Sequence, residues 1–239
     1  MKFTIIIPTL NAATQLNTTL NSLAIQTYRD FQCLVMDGNS SDTTVDIVSK
    51  YTDSIPGLEF HSAPDLGIYD AMNKGVSMTK GEYVLFLGTG DSLHNSTVLE
   101  TVYTYLTNIS PDIIYGDVLL LPDTLLQQPK HLTNRFFRSG RMICHQSIFA
   151  KKATLSEYPF SLSYTYGADK DWLIHSFRNH KTFAHIPTTI SAYDTTGFSS
   201  LPKNRKALWL ESGKILQKYY GFIMFPITIL KYHLIIKWH

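Results

Sequence analysis

Four short apolar runs, each separated from the next by a stretch long enough for a helix, constrain this chain more than any other feature. The runs are Phe3–Ile7, closed by Pro8; Phe31–Met36, closed by Asp37 and Gly38; Leu58–His61; and Tyr83–Leu87, which meets Gly88. Continuous β-branched and aromatic runs of this length read as strands buried on both faces. Between the first two, Leu16, Leu20 and Leu23 share one helical face, and Val45, Ile47, Val48 and Tyr51 supply the apolar side of a second helix. The order strand, helix, strand, helix, strand, helix, strand predicts an α/β fold: a right-handed, mostly parallel sheet flanked by helices. On such a sheet, ligands bind outside the carboxyl ends of the strands.

Those ends carry the polar residues. After the first strand come Thr9, Asn11 and Thr14, able to cap a helix or touch a ligand. The second ends in Asp37-Gly-Asn-Ser-Ser-Asp42, with Asp42 suited to a first helical turn and Asp37 placed to accept from a nucleobase N–H or a ribose hydroxyl. Behind the third, Asp65 and Gly67 precede a helix from Ile68 on which Asp70, Asn73 and Lys74 share one face. A cation beside a helix N-terminus suits a pyrophosphate. The fourth strand runs into Gly88-Thr-Gly90-Asp91, which delivers one carboxylate.

Charge narrows the function. Residues 201 to 239 hold seven Lys or Arg against the single acid Glu211; removing them from the chain's 21 basic and 19 acidic residues leaves 14 against 18. A net-acidic body argues against nucleic-acid binding, and the basic surface is terminal. Cys33 and Cys144 lie in apolar runs and read as free thiols of a reducing, cytoplasmic compartment. The run Phe3–Ile7 is too short for a signal peptide.

The pieces Ile-Pro-Thr-Leu-Asn (7 to 11), Leu-Asn-Ser-Leu-Ala-Ile-Gln-Thr (20 to 27), Asp-Gly-Asn-Ser-Ser-Asp-Thr-Thr (37 to 44), Gly-Ile-Tyr-Asp-Ala-Met-Asn-Lys-Gly (67 to 75) and Gly-Glu-Tyr-Val-Leu-Phe-Leu (81 to 87) cover most of residues 3 to 91. In this order and spacing they resemble the bacterial family 2 glycosyltransferases, inverting, nucleotide-sugar-dependent enzymes of the GT-A fold. The resemblance implies that Pro8, Thr9, Asp37 and Asp65 hold the nucleotide of a UDP-type donor, and that Asp91 is the last residue of an acidic motif binding Mg²⁺ or Mn²⁺. The chain departs from the pattern at Gly88 and Gly90, where the family offers acids. A lone carboxylate is a poor divalent site unless the diphosphate supplies further oxygens.

The second half is less regular. Asn95 reads as the cap of a helix to about Asn108 with Val98, Leu99, Val102, Tyr103 and Leu106 inward, followed by a strand from Asp112 to Leu120 and a hairpin to about Leu132; Asp117, at the polar end of that strand, reads as acceptor-side or, preferred, as a solvated edge residue. His145-Gln146 matches a recurrent feature of related enzymes and is a candidate for acceptor or diphosphate contact. In Gly167-Ala-Asp169-Lys-Asp171, the resemblance implies that Asp169 is the general base, with Asp171 the second candidate. The segment 193 to 200, with Ser199, resembles the family's mobile Gly-Ser lid over the diphosphate.

These readings divide the chain into a GT-A domain over 1–200, with a nucleotide-sugar half (1–91) and an acceptor and catalytic half (92–200), and an appendage over 201–239. The appendage's longest clean apolar run, Phe222–Leu230, is too short to span a bilayer. Its composition suits contact with a membrane surface at the inner face, packing on the sheet, or a homodimer interface. The expected activity is sugar transfer to a hydroxyl of a saccharide or lipid-linked acceptor in bacterial surface polysaccharide or lipopolysaccharide synthesis. The rival readings are a non-catalytic nucleotide-sugar binding protein, and a nucleotidyltransferase, whose glycine-rich phosphate loop is replaced after Pro8 by Thr-Leu-Asn-Ala-Ala.

Overall fold

The computed structural model describes residues 1–195 and 202–236. Its first half follows the strand–helix rhythm of the sequence. Strands β1 (Phe3–Thr9), β2 (Phe31–Asp37), β3 (Leu58–Ser62) and β4 (Tyr83–Phe86) are joined by helices α1 (Ala13–Ala24), α2 (Thr44–Ser49) and α3 (Ile68–Met78). They pair in parallel in the order β3-β2-β1-β4, with Phe3 beside Phe31 and Tyr83, and Thr9 beside Asp37. Every residue of β1, β2 and β4 is buried, because helices cover both faces. Leu16, Leu20 and Leu23 of α1 are fully buried with Phe3, Ile5 and Ile7 on one face. On the other, α3 packs so closely that a side chain on Gly75 would begin 2.7 Å from Ile6.

The second half extends the sheet with mixed directions. It contains β5 (Ser92–Leu93), α4 (Val98–Leu106), β6 (Ile113–Leu120), β7 (Thr124–Leu126), α5 (Asn134–Arg138), β8 (Ile148–Lys151), α6 (Lys152–Glu157), α7 (Ala168–Arg178) and β9 (Phe183–Tyr193). The order continues β4-β8-β6-β9-β5, with β8 antiparallel to both β4 and β6, while β6 and β9 run parallel. The expected hairpin is β6–β7. Two details differ from the sequence reading. The helix begins at Val98, since Asn95 Oδ1 accepts from the Thr97 N–H and closes a turn before it, and Tyr103 stays exposed beside Tyr28. Asp117 is not on a solvated edge: β6 lies between β8 and β9, and the Asp117 carboxylate accepts from Gln128 N–H and faces His185.

The tail folds into α8 (Arg205–Tyr220) and α9 (Met224–Ile236). Ile215, Leu216 and Met224 join the core around Trp172, Phe137 and Phe160, whereas Phe222, Ile223 and Leu230 are exposed. No helix of the described residues is long and apolar enough to cross a membrane. Because β6 runs parallel to β4, the carboxyl ends of β1, β2, β4 and β6 all open on one edge, and the candidate residues collect there.

Candidate active site

At the β2 end, Asp37 is 4% exposed and fully engaged. Its Oδ2 accepts from Ser40 N–H (2.9 Å) and Ser62 hydroxyl (2.6 Å), and its Oδ1 accepts from the Ser40 hydroxyl. A carboxylate pinned by three donors is a fixed acceptor with lone pairs to spare. It lines a cavity of about 330 Å³ with Phe60, Ser62, Asp65, Ala71 and Lys74. Asp65 Oδ1 accepts from Gly67 N–H, and a side chain on Gly38 would begin 2.7 Å from the other Asp65 oxygen, so it would displace that carboxylate. Lys74 reaches Pro64 O (3.0 Å) and Asp70 (2.7 Å). Asn73 faces the other way, clamping both backbone groups of Phe160.

Beside this cavity, Pro8 and Thr9 end β1, and Thr9 donates to Ile7 O. Asn11 adopts a left-handed conformation (φ 48°) that lets its backbone N–H reach Ser40 Oγ and its side chain accept from Ser41 N–H. Asp42 accepts from both Ala13 N–H and Thr44 N–H, joining the starts of α1 and α2. The two loops that frame Asp37 are therefore tied together.

At the β4 end, Gly90 has φ +96°, a conformation that favours glycine, and it swings Asp91 back under the loop. Asp91 is 4% exposed; its oxygens accept from Asp194 N–H (2.9 Å) and Gln146 Nε2 (3.1 Å). Burial pushes its carboxyl up to about 6, against the opposing pull of those donors and of His145. The Asp194 carboxylate lies about 3.1 Å from where a side chain on Gly90 would begin, so a second acid stands near Asp91 where the sequence shows glycine. Among the described residues no three His, Cys, Asp or Glu side chains form a metal cage. Two hard oxygen donors suit Mg²⁺ or Mn²⁺ that draws its remaining ligands from a diphosphate.

The His145-Gln146 pair sits on a single 3₁₀ turn, His145–Ser147, leading into β8. Gln146 faces Asp91, and His145 faces α7, where its Nδ1 lies 3.0 Å from Asp169 Oδ2. The other Asp169 oxygen accepts from Tyr69 hydroxyl (3.1 Å) and Lys170 N–H (2.8 Å). Burial raises the Asp169 carboxyl, but the His145 bond and charge, then the Lys170 and Tyr69 donors, outweigh it and leave the group below its usual range. His145 shows the reciprocal effect: burial lowers it, and Asp169 holds it above the ordinary imidazole value. Thus one short turn bridges Asp91 and Asp169.

Asp171, two residues on, faces α8. It is 1% exposed, paired with Lys218 (2.8 Å) and bonded by Tyr158 hydroxyl. Its carboxylate ties the two helices together and does not meet His145. Three residues that were not among the candidate site residues complete the site. Tyr69 orients Asp169; Asp194 backs Asp91; and Glu211 of α8 accepts from Thr165, Tyr166 and Gly167 N–H (2.9, 2.8 and 3.0 Å), closing the turn that leads into α7. The only signal for Glu211 was its being the one acid in a basic tail. Ser199 lies outside the described residues.

A larger cavity, about 580 Å³, lies at the other end of α7 among Tyr115, Lys130, His131, Arg178 and Lys181, and contains none of the candidate residues. Lys181 there is paired with Glu157, and Arg178 lies over Tyr220, so these cations have structural partners at a helix C-terminus.

Residues 4–167 match the family model described as Glycosyl transferase family 2. A PGL/p-HBAD biosynthesis glycosyltransferase of Mycobacterium bovis is 38% identical over 199 residues, 82% of this chain and 77% of that protein. A cholesterol galactosyltransferase of Borreliella burgdorferi is 29% identical over 113 residues, 47% of this chain and 31% of that one. Among solved structures, S. aureus TarS 1–349 in complex with UDP-GlcNAc superposes with a TM-score of 0.73 at 18% identity, covering 92% of this chain and 71% of that one. The chain spans 39% of the longer TarS chain. A mannosyltransferase of Pyrobaculum calidifontis, in complex with GDP-Man and Mn²⁺, gives 0.65 at 15% identity, covering 96% and 73%. The curled, helix-flanked sheet is the GT-A fold.

Proposed function

Because the chain belongs to glycosyl transferase family 2, we propose that it moves a sugar, with inversion, from a UDP-sugar to a hydroxyl of a bacterial saccharide or lipid-linked acceptor. The observation that carries the reading is the adjacency, on one sheet edge, of the Asp37–Asp65–Lys74 cavity, the Asp91 loop and the His145–Asp169 pair. In this reading Asp37 accepts from the uracil or ribose, Lys74 faces the diphosphate, and Pro8, Thr9 and Asn11 shape the wall beside them. Inversion requires the acceptor oxygen to attack the anomeric carbon opposite the departing diphosphate while a base takes its proton. That function depends on Asp169. The residues that would hold Mg²⁺ or Mn²⁺ are Asp91 with neighbouring Asp194, and the cation would neutralise charge building on the leaving diphosphate. Exposed Phe222, Ile223 and Leu230 within the basic tail support contact with the cytoplasmic membrane surface.

A thermal-shift panel of UDP- and GDP-sugars, with and without Mn²⁺, tests the donor class. UDP-sugars stabilise the chain by mass action; stabilisation by none of them refutes the reading. Asp169→Asn keeps the donor-induced shift and loses at least 100-fold in transfer. Normal turnover by that variant would remove Asp169 from the mechanism.

A further inference from the structure

We infer that the cavity at the C-terminal end of α7 binds the headgroup of an anionic phospholipid, with Phe222 and Ile223 entering the lipid surface beside it. The inference deepens the membrane-contact reading above and rests on it. The cavity holds about 580 Å³, ample for a phosphate headgroup; among the described residues Lys130, His131, Arg178, His180 and Lys181 line it and no Asp or Glu does. Glu157 neutralises Lys181, whereas the Tyr220 ring beneath Arg178 orients the guanidinium without cancelling its charge. Among the described residues, the side chains of Lys130, His131 and His180 have no hydrogen-bond or ion-pair partner.

The backbone does not oppose an anion there. The last carbonyls of a helix carry partial negative charge and repel a phosphate when left open. At the end of α7 the His175, Ser176 and Phe177 carbonyls accept from the N–H groups of Asn179, Lys181 and His180, and His180 reaches its partner from a left-handed conformation (φ 57°). The helix end is therefore closed on itself, and the wall it presents is cationic. Lys130 and His131 approach from the far side, after the β6–β7 hairpin, so charges from two distant segments of the chain converge.

The adjoining tail selects a lipid over a soluble anion. Tyr220, stacked under Arg178, is the last residue of α8; Gly221 follows with φ +93° and turns the chain, leaving Phe222 84% and Ile223 65% exposed before Met224 returns to the core. Two large apolar side chains held in water beside a cation-lined cavity match a surface where anionic phosphates overlie hydrocarbon. A free phosphate uses the cations alone and leaves the apolar pair in water. Asp169 and Arg178 stand at opposite ends of α7, about 14 Å apart along its axis, so docking leaves the donor edge open.

The test is flotation of the unaltered chain with vesicles of phosphatidylcholine, alone or mixed with phosphatidylglycerol. The chain floats with the mixed vesicles, less so as salt is raised, and not with phosphatidylcholine alone. Lys130→Ala/His131→Ala weakens that binding at least about fivefold, the factor expected for one lysine at an anionic surface, while Lys50→Ala, which removes an exposed cation from the end of α2, stays within about twofold. Phe222→Ser/Ile223→Ser weakens it roughly tenfold or more. Undiminished binding by Lys130→Ala/His131→Ala overturns the headgroup site, and if Phe222→Ser/Ile223→Ser is then defective the tail's membrane contact still stands. If the unaltered chain floats with neither vesicle, that contact and the headgroup site fall together. Inorganic phosphate that raises the melting temperature of the unaltered chain but not of Lys130→Ala/His131→Ala, without flotation, assigns the cavity to a soluble anion and overturns the lipid. The UDP-induced thermal shift, measured on every variant, reports the donor site separately.

Discussion

Replacing Glu211 by alanine tests how the tail and the catalytic helix depend on each other. The carboxylate accepts three backbone N–H bonds at 2.8–3.0 Å, from Thr165, Tyr166 and Gly167, immediately before α7. A hydrogen bond to a charged group contributes about 1.5–3 kcal/mol net. Thr165 is exposed and Gly167 buried, so water replaces the first bond, replaces the second in part, and does not reach the third. The expected loss is therefore about 2–4 kcal/mol rather than the sum of three full bonds. With a urea slope of about 3 kcal/mol/M for a chain of this size, the unfolding midpoint falls by roughly 1 M. Glu211→Gln, which keeps one acceptor oxygen, loses about half as much. UDP binding survives in both, because the Asp37 cavity lies on other elements, while UDP release falls as the turn carrying Asp169 loosens. A change below about 0.5 kcal/mol in Glu211→Ala would refute the claim that α8 holds this turn.

Asp91 makes stability depend on pH in a defined direction. Its native carboxyl is raised from 3.8 to about 6, so the native state binds more protons than the unfolded chain in that window and stability falls as pH rises through it. The ionised group costs about 3 kcal/mol at neutral pH. Asp91→Asn should thus unfold at higher urea at pH 7.5, with the gain gone at pH 4, while donor turnover drops. Lys218→Met strands the buried Asp171 carboxylate and lowers stability by about 3–5 kcal/mol in urea unfolding. Asn73→Ala removes both bonds to Phe160 and costs about 1–3 kcal/mol with UDP binding unchanged.

The first half of the fold was legible because its signals are local. Fully apolar strands such as Phe3–Ile7, and the Leu16-Leu20-Leu23 face, define their own elements and, through the handedness of parallel crossovers, their order. The antiparallel insertion of β8 between β4 and β6 rests on pairings more than thirty residues apart in sequence, for which Ile148–Lys151 carries no periodic signature. The site divides the same way. Asp37, Asp91, His145 and Asp169 stand out by residue type and placement. That His145 meets Asp169, while Asp171 on the same helix meets Lys218, follows from how α7 is rotated against α8 and the 3₁₀ turn. Asp70 and Lys74 were read as one polar face, and they do pair with each other. Asn73, between them, instead serves the loop at Phe160.

The most direct test of the account is calorimetric titration of UDP into the unaltered chain, into Asp37→Asn, and into a Lys130→Ala/His131→Ala variant of the larger cavity. Loss of the charged acceptor should weaken binding roughly 10- to 100-fold in Asp37→Asn, and the double variant should bind like the unaltered chain. Undiminished UDP affinity in Asp37→Asn together with loss in the double variant would move the nucleotide to the other end of α7 and contradict the account.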